Sequence, residues 1–387
     1  MSLRPSEDRI RDALAQVDAP DEVRERSWSA IDEAFRSREP VVHHRRWPVV
    51  AAALAIVSGG VAVAPPGRAI ASWVRRSFSS APKPGPAPLV VPGVGRLLIA
   101  TGDGIWSLRA GHGGGRLLGR YAEASWSPRC LNVLVTDGRT LSAIDPDTGL
   151  THWNARGGVV HTLAWAPNRY RVSYLVGSDL RVATGDGTTD SLLARNVVGI
   201  PAWRPAAGGP GNVLAFTTAA GFLETLDVDT RQAVLPRERV DAPGQTAWSA
   251  DGGRRFFLGD QTVEVFDATG RRRIATRLAG ARRPVEILAA PAGTNLLVAS
   301  ADGSLRVIDA DTGAVQLLGR FGPSPIQAVW SPDGNRVLVA EPTNDELQIV
   351  TLGGRVGRIR ITGVSERLAG AGTPSPLTQR PIQGWCG

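Results

Sequence analysis

The sequence predicts an all-β fold, a seven-bladed propeller, preceded by a short helical segment and one transmembrane helix. Three observations lead to this prediction. A tryptophan followed by a turn recurs about every 40 residues, which is the length of one four-stranded propeller blade. Within each repeat, an alternating strand ends in an acidic turn, and residues 47–67 form the longest segment without charge.

Composition excludes several classes of protein. The chain has 387 residues, of which 42% are hydrophobic and 21% charged, so it is not a disordered polymer. Two cysteines are too few for a disulfide-dense scaffold or a four-cysteine zinc site. The net charge of +8 is spread thinly along the chain rather than held in basic runs, so we expect no nucleic-acid partner.

Residues 1–46 predict two short amphipathic helices. Ser6 is suited to cap the first, and Pro20 opens the second with two acids behind it. Two such helices bury little surface alone. We expect them in the cytoplasm, packed either on each other and a partner or on the inner leaflet of the membrane.

Residues 47–67 have the length and apolar character of a transmembrane helix, and the Pro-Pro-Gly at 65–67 ends it. A buried core helix and a cleaved signal peptide are the alternatives, and the 46 preceding residues disfavour the second. Arginines flank the segment almost equally, so they barely choose its orientation. Membrane lipid is thus one expected partner. The Pro-rich residues 68–94, which follow the segment, predict an extended linker.

The repeat provides the strands of the propeller. Its markers are the five tryptophans that precede a turn, Trp126, Trp165, Trp203, Trp248 and Trp330. A degenerate copy at residues 289–293 lacks the indole, and we take Leu288 as its marker. The Ser-Pro-Asp-Gly at 331–334 suits a type I turn, because proline presets the second position and glycine fits the fourth.

The two ends of the repeat region predict how the ring closes. The first unit contains only three strands, over residues 96–100, 105–108 and 116–120. The missing inner strand is predicted at residues 381–386, which resemble residues 327–331. The propeller then spans residues 95–387 and closes with three strands plus one, which leaves no open sheet edge at the seam.

The Trp-Ser-Pro-Asp-Gly turns resemble the propeller repeats of the TolB and WD40-like families. The Asp-x-Asp-Thr-Gly turns, best seen at residues 141–153, also resemble quinoprotein-type repeats. This resemblance implies an extracytoplasmic propeller on a membrane stalk, with the N-terminus inside the cell. The helical pair before the span is vaguely similar to the cytoplasmic part of transmembrane anti-sigma factors, without their His/Cys metal motif.

The predicted closure brings the two cysteines together. Cys130 and Cys386 fall at the ends of inner strands in adjacent blades, so we predict a disulfide between them. The alternative is two unpaired small residues. Outside the cytoplasm such a bond forms readily, and it would close a very long loop.

The carboxylates of the acidic turns have two possible roles, as metal ligands or as caps of the turn. They could contribute oxygen ligands to calcium, but the full twelve-residue calcium loop with its terminal glutamate is missing, so side-chain capping of the turn is the preferred interpretation. The five histidines share no metal-ligand spacing, and no catalytic or phosphate-binding motif is present in the sequence. We expect no cofactor and no enzymatic activity.

A binding face is predicted where the loops between blades meet the loops between second and third strands. Its candidate residues are Asp103, Tyr121, Glu123, Asp137, His161, Asp179, Asp260, Asp302 and Asp345. Arginines of the same loops are Arg120, Arg156, Arg195, Arg283 and Arg320. The alternative is that these are ordinary turn and rim residues, since Asp-Gly pairs suit tight hairpins.

The predicted function is that of a membrane-anchored, extracytoplasmic, non-catalytic module that binds or scaffolds a protein or small ligand. One alternative is a transmembrane regulator whose residues 1–40 hold a cytoplasmic factor while the propeller senses a ligand. Another is an envelope enzyme, which a cluster of perturbed carboxyls or histidines at the channel mouth would favour.

Overall fold

The structure is a computed structural model that describes residues 86–387 apart from 168–169, 206–211, 241–243, 279–282, 323–326, 353–356 and 371. The predicted helices of residues 1–46, the predicted transmembrane helix at 47–67 and most of the 68–94 linker lie outside the described residues. In the part of the chain that is described, no helix has the length and apolar character needed to cross a bilayer.

Seven four-stranded antiparallel sheets form the described fold, which confirms the predicted seven-bladed propeller. From inner to outer strand, blade 1 consists of β28 (Leu377–Cys386), β1 (Arg96–Thr101), β2 (Gly104–Arg109) and β3 (Gly115–Gly119). Blade 2 consists of β4 (Glu123–Trp126), β5 (Val133–Thr136), β6 (Thr140–Ile144) and β7 (Thr151–Arg156). Blades 3 and 4 consist of β8 (Val160–Trp165), β9 (Arg171–Val176), β10 (Asp179–Thr184) and β11 (Asp190–Ala194), then β12 (Val197–Trp203), β13 (Val213–Thr218), β14 (Phe222–Asp227) and β15 (Glu238–Arg239).

The remaining blades follow the same order of strands. Blade 5 consists of β16 (Gln245–Trp248), β17 (Arg255–Leu258), β18 (Thr262–Phe266) and β19 (Arg272–Arg277). Blades 6 and 7 consist of β20 (Pro284–Ala289), β21 (Asn295–Ser300), β22 (Ser304–Asp309) and β23 (Val315–Arg320), then β24 (Gln327–Trp330), β25 (Arg336–Glu341), β26 (Glu346–Thr351) and β27 (Gly357–Thr362). The inner strands contact one another in a closed sequence around an axis.

The turn after each inner strand follows from local sequence. At residues 331–334, the Gly334 N–H donates to the Ser331 carbonyl at 2.9 Å, and Gly334 has φ +69°, a conformation that glycine adopts without strain. The Ser331 hydroxyl accepts the Arg336 N–H at 2.9 Å. These bonds turn the chain directly from the inner strand into the second strand of the blade.

The second strands form the core. All residues of β5 and β13 are buried, and β25 is buried except at Arg336, because each sheet packs both faces against neighbouring blades. The aliphatic runs of these strands therefore occupy positions where both faces are covered.

The tryptophans pack between blades. Trp126 of blade 2 lies in one cluster with Leu98 and Ile105 of blade 1. The indole N–H of Trp248 donates to the Ala202 carbonyl, and that of Trp330 to the Leu288 carbonyl, both at 3.2 Å and both in the preceding blade. Each of these three indoles thus joins its blade to the one before it.

Blade 6 requires one correction to the repeat. Ala289 pairs with Leu296 in the register in which Trp330 pairs with Val337. The indole position therefore belongs to Ala289 and not to Leu288, which was taken as the marker. The error arose because alanine at this position gives no bulky signal from which to fix the register.

Blade 1 closes the ring as predicted. Strand β28 pairs antiparallel with β1, with Leu97 opposite Trp385 and Leu98 opposite Gly384. Cys130 and Cys386 form a disulfide, with their Cα atoms 5.9 Å apart. The seam is thus held by a sheet, by packed side chains and by a covalent bond.

The propeller packing begins before residue 95, within the predicted linker. Leu89 and Val91 are completely or almost completely buried. Their carbonyls accept the N–H groups of Gly114 at 3.1 Å and Gly111 at 2.8 Å in the last turn of blade 1. This segment, residues 89–95, therefore straps the outer end of blade 1 to the core.

Two short helical elements complete the described part of the fold. A 3-10 turn spans Pro342–Asn344, and the helix α1 spans Val364–Ala369 between β27 and β28. Val364 and Leu368 of α1 are buried in the cluster that joins blades 7 and 1. The Asp345 carboxylate accepts both the N–H and the hydroxyl of Ser365, at 3.0 and 2.7 Å, and so fixes the start of the helix.

Candidate functional site

A cavity of about 400 Å³, lined by both polar and apolar groups, lies on the axis of the propeller. Every blade contributes at least one inner-strand residue to it, and one such residue from each blade gives the set Glu123, Thr162, Ile200, Gln245, Glu286, Gln327 and Gln383. We call them the channel ring. Five of the seven carry a carboxyl or carboxamide side chain.

Members of the channel ring reach into the next blade. The side-chain oxygen of Gln383 accepts the Ala124 N–H at 3.0 Å, and that of Gln327 accepts the Ile382 N–H at 2.7 Å. Gln245 in the same way accepts an N–H of blade 6, from Ile287 at 3.0 Å. These side chains satisfy backbone groups that face the channel, so their first role is to latch neighbouring inner strands together.

Glu123 makes the same kind of latch with both of its oxygens. They accept the N–H groups of Thr162 and Leu163, each at 2.8 Å. The predicted binding-face residue Glu123 is therefore placed at the channel, where its carboxylate holds blade 3 against blade 2.

Glu286 differs from the other members of the ring. Its side chain is only 13% exposed, and the Arg380 guanidinium lies 3.7 Å from the Glu286 carboxyl. Burial raises the pKa of Glu286 from 4.5 to about 7, although Arg380 and a hydrogen bond from the Ala328 N–H act in the opposite direction. The carboxyl therefore changes its charge near neutral pH.

Arg380 gives the cavity a basic group beside its two carboxyls, Glu123 and Glu286. It belongs to β28, which contributes Thr378 and Arg380 to the lining, and its side chain is 63% exposed. The two carboxyls, one solvated guanidinium and a set of carboxamides can together bind a small polar group such as a carboxylate, an amide or a hydroxyl.

The cavity lies at the end of the channel where the chain enters each blade, because Glu123, Gln245 and Gln327 are the first residues of their strands. The hairpins between second and third strands reach this same end. The Ala122 N–H, just before β4, donates to the Thr136 carbonyl at the end of β5 at 2.7 Å. We call this end the channel face.

The structure brings the predicted binding-face residues to the channel face. Six aspartates belong to the hairpins between second and third strands, namely Asp103, Asp137, Asp179, Asp260, Asp302 and Asp345, and we call them the hairpin aspartates. Tyr121, Glu123 and His161 lie in or next to connections between blades. Arg120, Arg156, Arg195, Arg283 and Arg320 lie at the ends of outer strands or in the connections that follow.

Several hairpin aspartates stabilise their own loops. Asp137 accepts the N–H groups of Arg139 and Thr140 at 2.9 and 2.7 Å, and these bonds lower its pKa. Asp103 instead ties its hairpin to the segment before β28, because its carboxylate accepts the hydroxyl of Ser375 at 2.7 Å. Such bonds are the structural role that was the alternative to ligand contact.

Other predicted residues vary in how accessible they are. His161 contacts the Gly177 carbonyl at 2.9 Å and the Thr162 hydroxyl at 2.8 Å through its two ring nitrogens. The ring of Tyr121 lies directly over Gly119. Asp179 is half-buried, and Asp260 is exposed. The set is therefore a shared face and not a converging cluster.

The acidic turns lie at the opposite end of the blades. Asp309 accepts the N–H groups of Thr312 at 3.0 Å and Asp311 at 2.8 Å, and these hydrogen bonds hold its pKa below the usual 3.8. Asp145 makes the equivalent bonds. In both turns the first carboxylate is engaged in capping the chain. The described residues contain no group of three or more His, Cys, Asp or Glu side chains able to hold a metal ion.

Second aspartates of these turns pair with arginines of the preceding blade. Arg96 binds Asp147 through two hydrogen bonds at 2.7 and 3.0 Å. Arg171 pairs with Asp229 at 2.8 Å, and Arg254 pairs with Asp311. These ion pairs join blades 1 and 2, 3 and 4, and 5 and 6 at the face opposite the channel face.

Comparisons with known proteins leave the family open. No family model matches the chain, and no curated protein matches it. Among solved structures, it is similar to the β-propeller domain of Cps50 (Swd1) from Myceliophteria thermophila, with 13% identity and a TM-score of 0.45 over 55% of this chain and 74% of that one. The seven-bladed architecture therefore rests on the strand pairings described above.

Sequence reasoning missed most of the channel. Gln245, Glu286, Gln327, Gln383 and Arg380 were not among the predicted site residues. A signal was available for two of them, because Gln245 and Gln327, like the predicted Glu123, each stand three residues before the tryptophan marker. Glu286 stands three before Ala289, so the missing indole concealed it.

Proposed function

We propose that the chain is a membrane-anchored, extracytoplasmic propeller of the TolB/WD40-like type that binds a protein partner without catalysing a reaction. The observation that carries the proposal is the channel face, where hairpins of all blades surround a cavity of about 400 Å³ with polar and apolar lining. A surface built from loops on a rigid scaffold is suited to recognition.

A binding role agrees with how the polar groups are used. The carboxyl and carboxamide groups of the channel ring hold backbone N–H groups of the next blade, as in Glu123 and Gln327. These hydrogen bonds hold the mouth of the channel in one fixed shape. The envelope-enzyme alternative would be favoured by a cluster of perturbed carboxyls, whereas the structure gives one such channel carboxyl, Glu286, beside the Arg380 guanidinium.

The disulfide supports the extracytoplasmic placement. Disulfides persist in oxidising compartments and are rare in the cytosol. The bond between Cys130 and Cys386 links the C-terminal strand of blade 1 to blade 2. Together with the uncharged segment 47–67, it favours a propeller held outside the cytoplasm by a membrane stalk.

Topology is tested by protease treatment of cells that make the full chain. An external protease should digest the propeller in cells whose inner membrane is intact, and thiol labelling after denaturation should find both cysteines oxidised. Protection of the propeller until the inner membrane is lysed would reverse the topology, and reduced cysteines would remove the argument from the disulfide.

Binding is tested by replacing surface residues with a photo-crosslinking amino acid in the full chain. A position on the channel face, such as Asp260, should crosslink a defined protein, and a position on the opposite face, such as Arg271, should not. Equal crosslinking at both faces would contradict the proposal. A cytoplasmic protein captured only through residues 1–46 would favour the regulator alternative instead.

A further inference from the structure

In six of the seven blades, an arginine ends the outer strand or directly follows it, opposite the first residue of the third strand. In four blades it pairs with the first residue of the third strand, and these pairs are Arg156 with Thr140, Arg239 with Phe222, Arg277 with Thr262, and Arg320 with Ser304. In blades 1 and 3, Arg120 and Arg195 directly follow β3 and β11, which places them opposite the start of the third strand. Blade 7 has Thr362 there.

We call these six residues the rim arginines. About one residue in nine of the chain is arginine, so composition alone does not place six at one structural position. The register also puts all six at the channel face, because the third strand begins at the hairpin that reaches this face. The rim arginines therefore mark the outer edge of the proposed binding surface.

The rim arginines that can be described are open to solvent. The side chains of Arg120, Arg195, Arg239, Arg277 and Arg320 are exposed. Arg320 lies 3.5 Å from Asp302 and remains 66% exposed. Among the described residues, the other four make no ion pair. Their guanidinium groups are available to a partner.

The hairpin aspartates lie closer to the axis than the rim arginines, because the hairpins join the second and third strands while the arginines end the fourth. Turn hydrogen bonds keep several of these carboxylates in place, as with Asp137 and Asp302. The channel face thus has an inner circle of negative charge and an outer circle of positive charge.

We propose that the rim arginines dock acidic side chains of a folded protein that covers the channel face. The inference rests on the proposed function and names the chemistry of its partner. A guanidinium binds a carboxylate through two parallel hydrogen bonds, which fixes orientation as well as charge. A uniformly anionic bilayer or polymer would meet the hairpin aspartates with repulsion, whereas a protein surface can match both circles.

The test compares two full-length variants of equal charge. The rim variant carries Arg195→Gln, Arg239→Gln and Arg277→Gln. The control variant carries Arg109→Gln, Arg129→Gln and Arg271→Gln, three exposed arginines at the opposite face. Proteins crosslinked to the wild-type chain in cells are identified by mass spectrometry, and the affinity of the purified partner is then measured at 50 and 300 mM NaCl as chosen assay conditions.

We expect the rim variant to bind the partner roughly tenfold more weakly at low salt, and the control variant to bind like the wild type. Added salt should weaken the wild type more than the rim variant. Equal affinity of the two variants would overturn the role of the rim and leave the proposed function standing. If the wild-type chain crosslinks no protein, both proposals fail.

Membrane binding is the competing outcome. It is measured by flotation of the purified chain with vesicles of phosphatidylcholine that contain about a third phosphatidylglycerol. The proposal expects the wild type and the rim variant to float to the same extent. Flotation that is lost only in the rim variant would assign the arginines to lipid and overturn the inference.

Discussion

Replacing Glu286 with glutamine should remove a pH-dependent weakness from the propeller. The Glu286 carboxyl lies in the channel, only 13% exposed, and burial raises its pKa to about 7. Glutamine already occupies the corresponding place in three other blades, as Gln245, Gln327 and Gln383. The amide can still accept the Ala328 N–H, and it cannot ionise.

The size of the effect follows from proton linkage. The pKa of Glu286 is about 7 in the folded chain, against an ordinary value of 4.5. The folded protein therefore keeps a proton that the unfolded chain releases between these two pH values, so the stabilisation present below pH 4.5 is lost as the pH rises to about 7. One pKa unit corresponds to about 1.4 kcal/mol, so the free energy of unfolding should fall by on the order of 3 kcal/mol across this window.

The measurement is urea unfolding of wild type and Glu286→Gln at several pH values from 4.5 to 8. The two proteins should have similar stability at the acidic end, and the variant should be more stable by about 2–3 kcal/mol at pH 8. Glu366→Gln, which removes an exposed carboxyl, is the control and should follow the wild type. A Glu286→Gln protein with an unchanged pH slope, or with lower stability at pH 8, would refute the reasoning.

Three further predictions concern stability. A Cys130→Ser/Cys386→Ser protein should lose about 2–5 kcal/mol of stability in urea unfolding, because the bond spans 256 residues and a loop of this length corresponds to about 5 kcal/mol of chain entropy. Reductant should not lower the stability of this variant further, and a wild type whose stability is insensitive to reductant would contradict the prediction. Trp248→Ala should lose about 3–5 kcal/mol of stability in thermal unfolding, and Trp248→Phe should lose less, since the indole is only 5% exposed. A loss below about 1 kcal/mol in Trp248→Ala would show that the blades repack around the missing indole. Arg255→Met should be neutral or stabilising by about 1–2 kcal/mol in the same assay, because the fully buried guanidinium donates a hydrogen bond to the Thr225 hydroxyl at 2.5 Å but forms no ion pair with a carboxylate among the described residues, and burial lowers its pKa to about 10. A clear loss of stability would show that the charge is better paired than the geometry indicates.

The blades were predictable because their signals are local. A turn such as Ser-Pro-Asp-Gly and the buried run after it occupy about ten neighbouring residues, so the repeat reveals them without any knowledge of the fold. Closure was predictable for a related reason. The segment around Trp385 carries the same pattern as the segment before Trp330, and the first blade visibly lacks one strand.

The channel was less predictable, because its chemistry depends on distant segments. The pKa of Glu286 is set by burial on the axis and by Arg380, which is 94 positions further along the chain. The pair of Arg96 and Asp147 joins blades whose spacing only the folded ring defines. Leu89 and Val91 were assigned to the linker because a short apolar run after prolines has no period that distinguishes a core segment.

Blade 1 is built from strands at both ends of the propeller sequence, which has a consequence for folding during synthesis. Strands β1 and β28 pair edge to edge, yet the ribosome makes them almost 280 residues apart. Until β28 emerges, β1 presents a bare edge and Cys130 has no sulfur to join. A chain that stalls late in synthesis would therefore carry a free thiol and an unpaired strand, two marks by which folding factors can recognise unfinished copies.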